Sequence, residues 1–177
     1  ASAARTLGRG HTPRFIIGRD TRVSGTLLES ALAAGLCSMG AQVVTTGVVP
    51  TPAVAGIARI QNFDAGVVIS ASHNPFGDNG IKFFGADGFK LSDAVEAEIE
   101  TLIDGHAQLP RPTGLDIGIV THTRGLIDNY FAKLVAAGAD LRGLTVVVDA
   151  AFGAAYLVGP KIFERLGARV IALNCED

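Results

Sequence analysis

Short apolar runs alternate with segments of helical period through the first seventy residues. The runs "RFIIG", "AQVVTTG" and "AGVVIS" predict three strands, the first spanning Arg14 to Gly18. The segments between them, "SGTLLESALAAGLCSMG" and "TPAVAGIARI", repeat apolar residues at helical spacing. Strands that alternate with helices predict right-handed crossovers and a largely parallel sheet covered on both faces. The predicted fold class is therefore α/β.

Residues typical of helix ends mark where these helices begin and stop. Thr26 and Glu29 have the spacing of a capping box, and Gly40 is a typical C-terminal stop. Thr51 is predicted to cap the next helix, whose first position is then a proline. Ser92 is predicted to cap a further helix, "DAVEAEIETLID".

A hairpin and a second α/β unit complete the pattern. "IKFFGADGFKL" predicts a small hairpin whose phenylalanines, Phe83, Phe84 and Phe89, pack into the core. The sheet is thus expected to be mixed but largely parallel. After Asp140, "LTVVVDAAFGAAYLVGPKIFERLGARVIALN" predicts a new strand, loop, helix and strand, so we expect one domain in 1–140 and the start of another in 141–177. The two units echo each other, which indicates either repeated domains or the common appearance of any two βαβ units.

Composition and charge narrow the classes of function. With 177 residues, 48% of them hydrophobic and 18% charged, the chain has enough apolar surface for a folded core. A net charge of -2 without a basic stripe argues against nucleic-acid binding. No apolar run approaches the roughly 20 residues that span a bilayer. The two cysteines form neither a disulfide framework nor a zinc motif, so we expect a cytoplasmic protein without a membrane partner. Both chain ends look cut.

A cluster of polar residues follows the third predicted strand. Ser70, Ser72, His73 and Asn74 come where that strand stops. In open α/β sheets, ligands bind outside the carboxyl ends of the strands. "GRDTR" follows the first strand in the same way, and we expect both clusters to face one cleft.

This cluster contains groups that suit phosphoryl transfer. A serine hydroxyl is a poor nucleophile unless a base or a cation assists it, and phosphoryl transfer needs cations near the phosphate oxygens. Arg19, Arg22 and Lys82 are the candidate cations around Ser72. Because adjacent side chains normally point apart, Ser72 and His73 do not predict a hydrolase triad. The alternative is that these residues only form turns and that "GRDTR" is a surface ion-pair cluster.

For the remaining histidines and one aspartate we expect structural or solvent-exposed positions and no catalytic role. His11, His106 and His122 fall in predicted loops without the spacing of a metal site, so we expect them to be solvated. Asp149 ends the first strand after the boundary, where a capping role is expected.

Several motifs together resemble one known family. "ISASHNPFGDNGIKFF" closely resembles the active-site loop of the α-D-phosphohexomutase superfamily, and most specifically that of bacterial phosphoglucosamine mutases. "IIGRDTRVSGTLLESALAAGL", "PTPAVA" and "VVVDAAFGAAY" are similar to the same family in the same order, so the resemblance covers nearly the whole chain. It implies the first phosphohexomutase domain in 1–140 and the start of a second, similar domain in 141–177.

The resemblance implies an enzyme that interconverts glucosamine 6-phosphate and glucosamine 1-phosphate, through a phosphoserine and a bisphosphorylated sugar, and so supplies UDP-N-acetylglucosamine for cell-wall synthesis. Ser72 matches the phosphoserine, whose phosphate helps to bind Mg²⁺. Further residues match catalytic positions: His73, Lys82 and Arg19. Residues matched to loop shape and substrate binding are Arg22, Asn74, Asp78 and Asn79.

The sequence also departs from the family pattern. The aspartate-rich metal loop, the sugar-recognition loop, the phosphate-binding loop and the "GTDGIRG" start of the family do not occur in it, so we expect negligible turnover by this chain alone. "DAAFGA" replaces the usual "DCANGA", a change not expected to affect the chemistry. The alternatives are a phosphomannomutase or phosphoglucomutase, or a non-catalytic module with the same fold. A homodimer is a further expectation for a full-length enzyme.

Overall fold

A computed structural model describes residues 1–8, 10–105, 109, 111–123 and 125–176. Within them, a five-stranded sheet has the order β4-β3-β1-β2-β5, and β6 and β7 form a separate pair. All neighbours pair in parallel except β3 and β4, which confirms the expected mixed, largely parallel α/β fold. The strands are β1 Arg14–Arg19, β2 Gln42–Val48, β3 Ala65–Ile69, β4 Ile81–Gly85, β5 Val120–His122, β6 Thr145–Asp149 and β7 Arg169–Leu173. The α-helices are α1 Ser2–Gly8, α2 Gly25–Cys37, α3 Thr51–Ile60, α4 Asp93–Asp104, α5 Leu126–Ala137 and α6 Val158–Arg165, and Gly114–Asp116 forms a short 3₁₀ turn.

The central strand β1 supplies the core on both faces of the sheet. Phe15 and Ile17 are fully buried on the side of α1 and α2, whereas Ile16 is buried on the side of α3 and α5. This alternation follows from the two-residue period of a strand. β3 is buried at every position, as expected for a strand with helices on both faces. In the described part of the chain, no helix has the length and apolar character needed to cross a membrane.

The structure corrects two of the predicted helix starts. α2 begins at Gly25 with Ser24 as its N-cap and has no side-chain cap. Glu29 lies 3.4 Å from Nε of Arg19 instead of turning back to the helix end, so the capping-box prediction is wrong. α3 begins at Thr51 itself, one residue before the predicted start.

Two elements were not recognised in the sequence, the helix α1 and the edge strand β5. Both are too short to show a period. His122 is exposed as expected, but its assignment to a loop is wrong, because it lies in β5 with Nδ1 2.5 Å from Thr45 Oγ1. His11 is exposed, but its Nε2 lies 2.7 Å from Asp64 Oδ1. His106 lies outside the described residues.

The predicted hairpin is closed by one bridge. β4 pairs with β3 along its length. After the turn that follows β4, the chain pairs with β4 only through an isolated bridge between Phe84 and Lys90. Phe83 and Phe84 pack against the core as predicted. Phe89 is 70% exposed, so its assignment to the core is wrong; the single bridge does not hold a second strand against the sheet.

The strand, loop, helix and strand expected after Asp140 are present as β6, α6 and β7. Val158 of α6 is buried in the same apolar cluster as Tyr130 and Phe131 of α5. The unit therefore packs on the first sheet's helical layer, and a domain boundary near Asp140 stays a prediction. The other face of the β6–β7 pair is exposed, with Val147, Ile171 and Leu173 on it.

We predict that Gly118→Ala destabilises the fold. A Cβ at Gly118 would lie 1.9 Å from the carbonyl oxygen of Ala41 and within 2.9 Å of its nitrogen, and backbone atoms cannot move aside cheaply. The free energy of unfolding should fall by about 2 kcal/mol, as for other overpacked sites. Urea denaturation measures this loss. Gly77→Ala is the matched control, since no atom lies within 4 Å of its added Cβ. Equal midpoints for the two variants would contradict the prediction.

Candidate functional site

The polar cluster lies at the topological switch point of the sheet. After β1 the chain crosses to β2 on one side of the β1–β3 pair, whereas after β3 it turns to β4 on the other side, so the loops that follow β1 and β3 diverge at the carboxyl edge. A cavity of about 680 Å³ opens between them. It is lined by Asp20, Thr21, Arg22, Val23, Ser24, Ser70, Ser72, Asn74, Phe76, Gly77, Asn79, Ala151, Phe152, Gly153 and Ala154. The two sequence clusters thus meet in one cleft.

We call residues 70–80 the Ser72 loop, and its base is fixed by close backbone contact. The N–H of Ser70 donates to the carbonyl of Gly80 at 2.8 Å. A Cβ at Gly80 would lie 2.8 Å from the carbonyl oxygen of Ser70, so only glycine allows this approach. The buried hydroxyl of Ser70 accepts the N–H of Ser72 at 3.1 Å. Ser70 is therefore a structural serine, and Ser72 is the exposed one.

Ser72 has an unusual backbone conformation. Its φ is +60°, in the left-handed region that residues other than glycine seldom occupy. As a result the Ser72 Oγ and the His73 Nδ1 lie 3.3 Å apart. The expectation that these adjacent side chains point apart is wrong, because it assumed an ordinary extended backbone.

Arg22 holds the Ser72 loop in place. Its Nε donates to the carboxylate of Asp20 at 2.9 Å, and the carboxylate also accepts the backbone N–H of Arg22. Its two terminal nitrogens donate to four carbonyls of the loop, which belong to Ser72, Asn74, Pro75 and Asp78. A guanidinium has five N–H donors, and all five are occupied. Arg22 thus positions the loop in this structure, and its predicted role in substrate binding stays a prediction.

The two asparagines of the loop also make structural contacts. Asn79 Oδ1 accepts a hydrogen bond from the Ser24 hydroxyl at the start of α2. Asn74 Nδ2 donates to Asp78 Oδ2 at 3.2 Å across the loop. These contacts agree with the loop-shaping role that the resemblance implies. Substrate binding by Asn74 and Asn79 stays a prediction.

Arg19 and Lys82 are not brought to Ser72 in this structure. The Arg19 guanidinium is directed to Glu29 and to the carbonyl of Asp20, and it lines a separate cavity of about 60 Å³. Lys82 is exposed on β4 opposite Val68 and does not line the cavity that contains Ser72. Of the three candidate cations, only Arg22 lines the cavity with Ser72, and its donors face the loop backbone. The catalytic roles of Arg19 and Lys82 stay predictions.

The loop between β6 and α6 forms the opposite wall of the cavity, which the sequence analysis missed. Thr21 Oγ1 donates to the carbonyl of Phe152 at 2.8 Å and so joins this loop to the one that follows β1. Asp149 Oδ1 accepts the N–H of Ala151 and the side-chain amide of Asn174. Asp149 thus closes a turn after β6 and does not cap a helix, because α6 begins at Val158 with Leu157 as its N-cap; the expected capping role is wrong. The signal that could have revealed the wall was the replacement of the family's asparagine by Phe152.

The residues that the structure describes do not form a metal site by themselves. No group of three or more histidine, cysteine, aspartate or glutamate side chains is suitably placed in the described ranges. The carboxylates nearest in the loops are already engaged, Asp20 by Arg22 and Asp78 by Asn74. Divalent cations such as Mg²⁺ need several oxygen ligands, so any such site requires ligands beyond these residues.

We predict that Arg22→Lys loosens the Ser72 loop. A lysine ammonium is a compact point charge and cannot span the carboxylate of Asp20 and four carbonyls. Loss of these charge-assisted bonds should lower the free energy of loop opening by about 2 kcal/mol, which corresponds to amide exchange about thirtyfold faster. Hydrogen exchange of peptides covering residues 70–80 measures the effect. Arg59→Lys, on the exposed end of α3, is the control. Equal exchange of residues 70–80 in both variants would refute the role of Arg22 in holding the Ser72 loop.

We also predict a pH dependence of the β6–α6 loop. The Asn174 amide, and then the Ala151 N–H, hold the pKa of Asp149 below its ordinary value. Because the pKa of Asp149 is lower in the folded protein, its stabilisation is present above the unfolded value, about 3.9, and is lost as pH falls through the folded pKa. NMR signals of Phe152 should therefore stay constant from neutral pH down to about pH 5 and change only below about pH 4.

Two variants control this pH experiment. Asp149→Ala should loosen the loop at every pH, whereas Asp140→Ala should leave the Phe152 signals unchanged. Asp140 also has a lowered pKa, caused by Arg142, but it lies outside the cavity. A transition of the Phe152 signals near neutral pH would contradict the assignment.

Comparison with known proteins assigns the chain to a family. The model of the family described as "Phosphoglucomutase/phosphomannomutase, alpha/beta/alpha domain I" matches residues 1–109. Two curated relatives are named phosphoglucosamine mutase. The one from Moorella thermoacetica is 53% identical over 98% of this chain, and the one from Pelotomaculum thermopropionicum is 56% identical over 90%. The chain spans 40% and 36% of the length of these two relatives.

Solved structures agree with this assignment. A phosphoglucomutase/phosphomannomutase family protein from Burkholderia thailandensis matches 99% of this chain and 39% of its own, with a TM-score of 0.77 and 28% identity. A putative phosphomannomutase from Thermus thermophilus matches 99% of this chain and 40% of its own, with a TM-score of 0.80; at 24% identity it supports the fold alone. The family match covers more than half of the chain, and the polar loop lies inside the matched residues. This chain therefore belongs to the phosphoglucomutase/phosphomannomutase family.

Proposed function

We propose that the chain is the N-terminal part of a phosphoglucosamine mutase and carries its phosphoryl-transfer serine, Ser72. The observation that supports this most is the placement of an exposed hydroxyl on a rigid loop at the mouth of the cavity. Curated relatives that are 53% and 56% identical bear that enzyme's name. The substrate would be a phosphorylated amino sugar, interconverted between its 6-phosphate and 1-phosphate forms.

The loop geometry suits a residue that stores a phosphoryl group. Phosphoryl transfer depends mainly on positioning and on stabilising charge, so the transferring oxygen must be held in a fixed place. The left-handed backbone turns Ser72 outward, and Arg22 ties its carbonyl to the rest of the loop. A phosphate on Ser72 Oγ would thus enter the cavity from a fixed direction.

The transfer needs two proton movements. As a sugar hydroxyl attacks phosphoserine, a new bond forms between the sugar oxygen and phosphorus, the hydroxyl proton leaves to a base, and the bond from phosphorus to Ser72 Oγ breaks. The released Oγ takes up a proton. We assign this proton exchange to His73, whose Nδ1 lies 3.3 Å from Oγ; it would supply the proton here and remove it again in the reverse transfer. Roles for Arg19 and Lys82 in contacting phosphate would require them to approach Ser72 from their present positions.

Mg²⁺ belongs to the proposal as an ion held partly by the Ser72 phosphate. When bound, it would supply charge neutralisation at the phosphate oxygens. Its other ligands would lie outside this chain.

A cytoplasmic location follows from the proposed role in precursor synthesis for the cell wall. The homodimer and the absence of nucleic-acid partners stay predictions.

The chain alone is expected to be incomplete as an enzyme. It spans about 40% of its curated relatives, and one face of the β6–β7 pair exposes apolar side chains, including 58% of Val147. A two-stranded sheet is marginal without further strands or covering elements. In the proposed enzyme, the rest of a second domain would cover that face.

A phosphomannomutase or phosphoglucomutase is the second candidate. The Burkholderia thailandensis structure, which bears both names, supports it, but that protein is only 28% identical to this chain. The higher identity to phosphoglucosamine mutases favours the amino sugar. A non-catalytic module that keeps the fold is the third candidate, and phosphorylation of Ser72 separates it from both enzymes.

We predict that Ser72 is phosphorylated by a bisphosphorylated hexosamine. Incubation of the longer protein that contains this chain with glucosamine 1,6-bisphosphate and Mg²⁺ should add one phosphoryl group, located by fragmentation of the peptide that follows Arg59. Ser72→Ala should remove it. Arg22→Lys should slow the reaction by about tenfold, because a mobile loop holds the nucleophile less well. A phosphate on Ser70, or none on any serine of the loop, would overturn the assignment.

We further predict negligible mutase turnover by the chain alone. Phosphorylated chain mixed with glucosamine 6-phosphate should produce no sustained formation of glucosamine 1-phosphate, because the remaining parts of the proposed enzyme are needed to bind the sugar in both orientations. Phosphorus NMR follows both sugars directly. Multiple turnovers would show that the 177 residues are a complete enzyme and would refute the proposal of an N-terminal part.

A further inference from the structure

Backbone strain is concentrated around one cavity. Among the described residues, the non-glycine positions with positive φ are Asn62, Ser72, Ala151, Phe152 and Asn174. Asparagine tolerates this conformation, so the other three are the unusual ones. All three line the cavity that contains Ser72. Strained residues persist only where the surrounding structure holds them, and they are typical of ligand-binding sites.

Phe152 is the most unusual of the three and is held from two sides. Its N–H donates to the carbonyl of Asn174 at 2.9 Å, and its own carbonyl accepts the hydroxyl of Thr21 at 2.8 Å. The backbone conformation does not favour phenylalanine here, because asparagine or glycine would adopt the same φ of +55° with less strain. Phe152 is 52% exposed, so much of its surface stays open to a ligand in the cavity that it lines.

The cavity is lined by both aromatic and polar side chains. Phe152 lies on the β6–α6 loop, and Phe76, on the Ser72 loop, is 91% exposed at the same cavity. Ser72, Asn74 and Asn79 contribute the polar groups. A ligand that contacts both kinds of side chain must be amphipathic, with polar groups on its edges and an apolar face.

A hexose ring has this character. Its hydroxyl and phosphate groups lie around the edge, while axial C–H groups form an apolar patch on each face. The negative face of an aromatic ring attracts such weakly positive C–H groups and covers them from water. An aromatic wall would therefore bind the sugar without using the hydroxyl that must reach Ser72.

We propose that Phe152, with Phe76 on the facing Ser72 loop, forms an aromatic wall that packs against the C–H face of the sugar phosphate and orients its ring toward Ser72. This inference rests on the proposed function, because it names the part of the sugar that the same site recognises. Phe152 is thereby a substrate-positioning residue in the loop between β6 and α6. The replacement of the usual asparagine by phenylalanine then has a functional consequence.

NMR titration of the chain with glucosamine 6-phosphate tests the proposal. In the wild type, the ring C–H protons of the sugar should move upfield because they lie over an aromatic face. Phe152→Leu keeps an apolar side chain but removes the ring, and Phe152→Asn removes the ring while relaxing the backbone. Both should abolish the upfield shift and weaken binding by about threefold to tenfold, the range typical of aromatic contacts. Phe152→Tyr should restore both.

Two controls separate stacking from other causes. Phe89→Leu removes an exposed ring outside the cavity and should change nothing. Titration with inorganic phosphate, which has no ring, should be insensitive to Phe152→Leu. A wild-type titration without an upfield shift, or equal sugar binding by Phe152→Leu, would overturn the proposal. The latter result is expected if Phe152 instead packs against other parts of a longer protein.

Failure of this inference can be told apart from failure of the proposed function. If Ser72 is phosphorylated by glucosamine 1,6-bisphosphate but the sugar protons show no ring-current shift, only the aromatic wall is refuted. If the sugar stacks on Phe152 but Ser72 is never phosphorylated, the wall stands and the proposed chemistry fails.

Discussion

The site depends on the pairing of one guanidinium with a carboxylate and four backbone carbonyls. Arg22 and Asp20 are almost fully buried, with only 10% and 13% of their side chains exposed, so their charges must be neutralised by each other. The arginine completes its hydrogen bonds with carbonyls that have no partner within a regular strand or helix. An otherwise irregular loop thereby gains hydrogen-bond partners for four of its carbonyls.

This fixed loop explains why a serine rather than a stronger nucleophile can carry the proposed chemistry. The reacting oxygen does not need to search for its position, because Ser70 and Gly80 close the loop base and Arg22 fixes the tip. The strained backbone at Ser72 is maintained by the same contacts. Stability and reactivity are linked here, since the interactions that order the loop also direct the hydroxyl into the cavity.

The sequence predicted the parts of the fold that have a long apolar period. The strands β1, β2 and β3, their connecting helices and the polar cluster at the carboxyl edge were all recognisable from patterns within a few residues. The three-residue strand β5 and the helix α1 were not, because such short elements are stabilised by the surface on which they pack. Their sequences alone carry too few positions to show a period.

The site was less predictable than the fold because its contacts join distant segments. Arg22 contacts Asp78 across the loop, and Thr21 contacts Phe152 across more than a hundred residues. Sequence reasoning identified Ser72 and His73 but placed Arg19 and Lys82 beside them, since it could not determine where long side chains point. It also missed the left-handed φ of Ser72, which no local residue preference indicates.

The hydrogen bond from Thr21 to Phe152 has a mechanical consequence. It ties the edge of the first sheet to the loop that precedes α6, so the two walls of the cleft do not move separately while it is intact. If the β6–β7 unit rotates, this hydrogen bond must either break or hold the loop that carries Phe152 at a fixed distance from Thr21. The width of the cleft is therefore coupled to the orientation of the β6–β7 unit through one hydroxyl group.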